Sequence, residues 1–125
     1  MIFHVRTDGK PHDDSFAVLE ISRELHISNR GNITIFCTTD IYRNEYFYDH
    51  EGRIIKFQTG GNDYDVIECS YFEGKLYKLS YRYGTLAKKI YSFDYDEKGR
   101  LCSVLFEGRL IPVEYDSYGD VKRPY

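Results

Sequence analysis

The sequence contains no run approaching the ~18 consecutive apolar residues that a membrane-spanning helix requires. A helical span is therefore not expected. The opening residues, MIFHVRTDGK, also lack a basic segment followed by an apolar one, so no secretory leader is read there and the expected location is the cytoplasm. Cysteine is scarce and poorly placed for cross-linking: Cys37, Cys69 and Cys102 are odd in number, far apart and form no Cys-x-x-Cys pair. Neither a disulfide framework nor a zinc knuckle is indicated. Positive charge is not in surplus, because 17 Lys and Arg stand against 20 Asp and Glu, a formal net charge of −3. That balance argues against a nucleic-acid partner and favours, weakly, a basic protein. Tryptophan is absent, yet aromatics make up 17% of the chain through 13 tyrosines and 8 phenylalanines.

Tyrosine suits half-buried strands, since its ring is apolar and its hydroxyl stays wet. The 125 residues fit a single domain, 1–125, long enough to build one core without metal or disulfide. Met1 to Arg6 reads as a short edge strand ending in the turn chemistry of TDGKPHDD. The following DDSFAVLEISRELHISNRG offers N-caps at Asp13, Asp14 and Ser15, with Val18, Ile21 and Leu25 at helical spacing. It reads as the one helix. The competing reading is a strand over Phe16 to Ile21, with two strands replacing the helix, because Phe16 and Val18 also alternate.

After Gly31 the period becomes two, in runs near residues 32–39, 42–48, 53–57, 64–72, 75–83, 86–95, 101–106 and 109–115. Tyr77, Leu79, Tyr81 and Tyr83 fall on one face, against Lys78, Ser80 and Arg82 on the other. Tyr91, Phe93 and Tyr95 repeat the pattern, as do Ile111, Val113 and Tyr115. The expected class is α+β and mostly β: an antiparallel meander of eight or nine strands, with one N-terminal helix across its apolar face. In DHEG (49–52), DEKG (96–99) and DSYG (116–119), Asp holds the first position and Gly the fourth, the signature of a type I reversal. Glu73-Gly74 and Glu107-Gly108 read as two-residue hairpins.

Tyr-x-Tyr-Asp-x-x-Gly-Arg-Ile at Tyr46 to Ile54 and Phe-x-Tyr-Asp-x-x-Gly-Arg-Leu at Phe93 to Leu101 resemble the YD repeat of Rhs proteins. A third copy, at Tyr115 to Gly119, carries Asp120 where the arginine belongs. The motif covers well under half of the chain and specifies hairpins. Three copies do not enclose a toxin as an Rhs shell does. A short chain with degenerate repeats is instead similar to the small immunity proteins encoded beside bacterial polymorphic and contact-dependent toxins.

Candidate chemistry is thin. His12-Asp13-Asp14 contains metal-ligand types but reads as a solvated turn and cap, without a second cluster at ligand spacing. No Ser or Cys stands in a nucleophile-elbow context, the cysteines read as core filling, and no catalytic residue, metal or cofactor is assigned. KLYKLSYRYGTLAKK (75–89) mixes bases with aromatics, but period two turns Lys78 and Arg82 away from Tyr77, Tyr81 and Tyr83. The resemblance to immunity proteins implies toxin neutralisation by occlusion as the expected function. The partner is a cognate, basic toxin domain, and the candidate contacts are Asp49, His50, Glu51, Asp63, Asp65, Glu68, Asp94, Asp96, Glu97, Asp116 and Tyr118. A structural YD-repeat module that self-associates is the alternative, and a small hydrolase a second. Oligomeric state is not read from the sequence.

Overall fold

Alternating burial begins with the first strand. In the computed structural model, which describes residues 2–10, 15–37, 43–60 and 64–123, Phe3 and Val5 point inward on β1 (Ile2–Val5) while Ile2 and His4 are exposed. Three further strands follow, β2 (Ala17–Glu20), β3 (Leu25–Ser28) and β4 (Ile33–Phe36), in an antiparallel sheet ordered β1-β4-β3-β2. This is a Greek-key order, with β1 returning beside the last strand of a three-stranded meander.

The rest of the described chain is one long meander: β5 (Asn44–Tyr48), β6 (Ile54–Thr59), β7 (Asp65–Phe72), β8 (Lys75–Tyr83), β9 (Lys89–Tyr95), β10 (Leu101–Phe106) and β11 (Arg109–Pro112). Each strand pairs with its sequence neighbours, giving a seven-stranded antiparallel sheet. The inner faces of the two sheets share one hydrophobic cluster, with Val5, Leu25, Ile27, Ile33 and Ile35 from one side and Phe57, Ile67, Leu79, Tyr91 and Val104 from the other, all fully buried. Each large side chain so buried contributes about 1.5–3 kcal/mol. Phe3 meets Phe57 across the interface with ring centroids 5.0 Å apart, and the Tyr91 and Ser22 hydroxyls share a 2.7 Å hydrogen bond between the sheets.

The expected α+β class with an N-terminal helix is overturned. Among the described residues the chain is all-β, in two sheets of four and seven strands, and contains no helix. The competing two-strand reading of the segment is the one adopted. Its buried hydrophobic residues are Leu19 with Ile21 and Leu25 with Ile27, two period-two pairs separated by a reversal. Ile21 and Ser22 donate backbone N–H groups to the Leu25 carbonyl, and Ser22 Oγ accepts from the Leu25 N–H at 3.0 Å. The four-stranded sheet, and not a helix, covers the apolar face of the meander.

A second correction concerns β8. The expected inward row of Tyr77, Leu79, Tyr81 and Tyr83 holds at Leu79 and Tyr81, with Tyr83 half-buried, but Leu76 takes the inward place and Tyr77 is 45% exposed. The cause is a register shift: Ser70 pairs Lys78 while the next residue, Tyr71, pairs Leu76. The extra residue turns Tyr77 outward to join Lys78. On β9 and just after β11 the expected inward places hold, with Tyr91, Phe93 and Val113 buried.

Candidate functional site

The Asp-x-x-Gly reversals share one hydrogen-bond pattern. In the β5–β6 turn, Asp49 N–H donates to the Arg53 carbonyl at 2.9 Å and Gly52 N–H to the Asp49 carbonyl at 3.0 Å. Asp49 Oδ1 accepts from the backbone N–H groups of Glu51 and Arg53, and Oδ2 from Arg53 Nε, all at 2.9 Å. These bonds, led by the Arg53 backbone N–H, hold the Asp49 carboxyl below its ordinary range. Asp96 repeats the arrangement with Lys98 and Arg100 in the β9–β10 turn, and its carboxyl is lowered in the same way, chiefly by the Arg100 backbone N–H. Asp116 keeps the backbone half, accepting from the Tyr118 and Asp120 N–H groups at 2.8 and 3.0 Å.

Two more turns use the same backbone pattern. At Ser28–Asn32 the Ser28 hydroxyl takes the place of the aspartate, accepting from the Arg30 and Asn32 N–H groups. At Arg6–Lys10 the carboxylate comes from Asp8 instead. Neither carries Asp at the first position, so the Asp-x-x-Gly signal could not find them.

In a meander, alternate reversals lie at the same end. The β5–β6, β7–β8 and β9–β10 turns and the 116–120 turn therefore share one end of the seven-stranded sheet. A tyrosine ladder ties that end together. Tyr71 donates its hydroxyl to the Ile54 carbonyl, Tyr95 to that of Leu76 and Tyr115 to that of Leu101, at 2.6, 2.5 and 2.7 Å. A cation lies over each ring: Arg53 over Tyr71, Lys75 over Tyr95 and Arg100 over Tyr115, at 5.1, 5.3 and 4.5 Å from the centroid. Thus the basic residue that opens a strand stacks on the tyrosine that closes the hairpin, whose hydroxyl caps the carbonyl one residue on. Burial pushes all three phenols up, Tyr115 to about 12.

The expected contact residues separate on this frame. Asp49, His50 and Glu51 lie in the β5–β6 turn, Asp94, Asp96 and Glu97 on and after β9, and Asp116 and Tyr118 in the last turn, so these three groups share the reversal end. Asp49 and Asp96 are occupied within their turns. Tyr118 is 90% exposed. Glu68 is exposed on the outer face of β7, 3.5 Å from Lys88. Asp63 lies outside the described residues, as do His12, Asp13 and Asp14. Asp65 does not belong to the surface: it is fully buried, and its carboxylate accepts the Tyr81 hydroxyl.

Between the β7–β8 and β9–β10 reversals runs an open groove of about 640 Å³. Phe72, Tyr77, Asp94 and Glu97 line it, with Lys75 and Lys78. Phe72 is 66% exposed and meets Tyr77 edge-on at 6.4 Å. Sequence reasoning missed both aromatics. Strict alternation sent Tyr77 inward, and the bulge that reverses it depends on pairing with β7. Cys37 and Cys69 are buried, which pushes their thiols up to about 12 and suits core filling.

Among the described residues, no group of three His, Cys, Asp or Glu side chains is placed to hold a metal ion, and no helix is long and apolar enough to cross a membrane. Compared with known proteins, the chain matches no family model, no curated protein and no solved structure.

Proposed function

We propose that this chain is an immunity protein, which binds a cognate bacterial toxin in the cytoplasm and neutralises it by covering the toxin's basic, substrate-binding face. The observation that supports this reading is the construction of the reversal end. Glu51, Asp94, Glu97 and Tyr118 stand exposed on or beside turns whose backbones are already fixed by internal hydrogen bonds. Fixing one backbone residue costs about 1–2 kcal/mol, so a partner that docks on preformed turns avoids much of that loss. Exposed carboxylates also speed the approach of a basic partner.

Co-expression with the toxin encoded by the neighbouring gene tests the reading. Restored growth together with a one-to-one complex on gel filtration is expected. A toxin that kills equally well with and without this chain refutes it.

A further inference from the structure

The groove between the β7–β8 and β9–β10 reversals has a chemistry more specific than negative charge. Its aromatic wall is Phe72 and Tyr77, rings 66% and 45% exposed. Tyr77 is there only because the β7–β8 register shift turns it out of the core. Bulges often re-aim a side chain at a functional surface. Around these rings stand Glu73, Asp94, Asp96 and Glu97. Asp96 is held by Arg100, whereas Glu73, Asp94 and Glu97 take part in no ion pair among the described residues. Of the two lysines in the lining, Lys75 is drawn over the Tyr95 ring and keeps its charge, so Lys75 and Lys78 together stand against the three carboxylates. The groove therefore carries a small excess of negative charge, one carboxylate more than its ammonium groups, together with exposed π faces.

One side chain satisfies both features. A guanidinium is planar, so it stacks on a ring while its edge donates to a carboxylate; a lysine ammonium is a point charge with a tightly held water shell. We propose that this groove receives an arginine side chain presented by the protein partner, with Phe72 and Tyr77 as the stacking wall and Asp94 and Glu97 as acceptors. The proposal deepens the immunity reading and rests on it for the partner, but not for the chemistry of the groove. Lys78 serves specificity, repelling a second cation and so favouring a single arginine over a polybasic stretch.

The test uses the isotope-labelled full chain and two capped tripeptides, Gly-Arg-Gly and Gly-Lys-Gly. Amide shifts are followed by NMR at about 10 mM ionic strength, where screening is weak. Gly-Arg-Gly should shift the amides from Phe72 to Lys78 and from Ser92 to Gly99, saturably and more tightly than Gly-Lys-Gly. Tyr77→Ala and Asp94→Asn, both surface changes whose folding the same spectra verify, should each weaken binding roughly three- to tenfold. Equal shifts at Glu68 and at Asp116 to Asp120, or unchanged affinity in both variants, would overturn the proposal. A wild-type chain that protects cells, alongside Tyr77→Ala and Asp94→Asn variants that protect and bind the toxin equally, sinks the groove and leaves immunity standing. A wild-type chain that fails to protect sinks immunity, while the peptide titration still decides the groove.

Discussion

The five-residue turns at 6–10 and 28–32 and those at 49–53, 96–100 and 116–120 have the same backbone hydrogen bonds but different surroundings. The first two join strands of the four-stranded sheet and press against the end of the larger one. Gly9 gives its carbonyl to the Ile54 N–H, Thr7 to the Leu76 N–H and Asn29 to the Val121 N–H. The 49–53 turn receives part of that contact, its Glu51 carbonyl accepting from Lys10 Nζ at 2.7 Å, while the 96–100 and 116–120 turns face solvent. Turn conformation is thus set locally, by a glycine in the fourth place and a side-chain acceptor, at the first position in four of the turns and at the third, Asp8, in the 6–10 turn. What the turn is worth to the fold is set by what it touches.

Glycine substitutions measure that difference. Gly9 and Gly119 both have positive φ, at 83° and 86°. A Cβ on Gly9 would meet the Arg53 Cβ at 2.7 Å and the Tyr71 ring at 2.8 Å, whereas one on Gly119 meets nothing within 4 Å. Gly9→Ala should cost roughly 3 kcal/mol, as overpacking adds to backbone strain, and Gly119→Ala about 1 kcal/mol from strain alone. Urea denaturation of the two variants checks the gap, and equal losses would show that the docked turn is not held by its contacts.

The tyrosine ladder provides the next largest effect. Tyr115→Phe removes the donor to the Leu101 carbonyl while keeping the ring beneath Arg100, and should cost about 1 kcal/mol at neutral pH. Because burial raises this phenol to about 12, it favours the folded state below its ordinary value of about 10 and loses that contribution as pH rises through 12. The variant should lack part of the alkaline fall in melting temperature.

The smallest effect contrasts two of the open turns. Asp96 is lowered by N–H donors and by Arg100, so its contribution is complete above the ordinary carboxylate value of about 4 and is lost as pH falls through the lower folded value. Asp96→Asn should flatten the acid limb of a melting profile. Asp116→Asn, at a turn without the guanidinium clamp, should lower the melting temperature at neutral pH less than Asp96→Asn does.

Much of the seven-stranded sheet was legible because its strands are long enough for period two to be unambiguous and its reversals carry Asp and Gly at fixed places. The four-stranded sheet was not. Two four-residue strands around a four-residue reversal put Val18, Ile21 and Leu25 in helical register, although the buried set is Leu19, Ile21, Leu25 and Ile27. Short strands offer too few alternations to outvote that coincidence. Of the candidate surface, the turn acids were legible as exposed reversals, but Asp65 was not legible as an internal acceptor, since only its pairing with β8 brings Tyr81 to it. Phe72 and Tyr77 were invisible for the same kind of reason.

YFYDHEGRIIKF and its echoes by themselves determined where this chain reverses, because an aspartate that can accept two backbone N–H groups and a glycine free to take positive φ act within five residues. The partners of those reversals were decided only in three dimensions. Which sheet covers the apolar face, which tyrosine caps which carbonyl and which ring turns outward at a bulge all depend on strands distant in sequence. Their register is fixed by packing across the core, which no local stretch encodes.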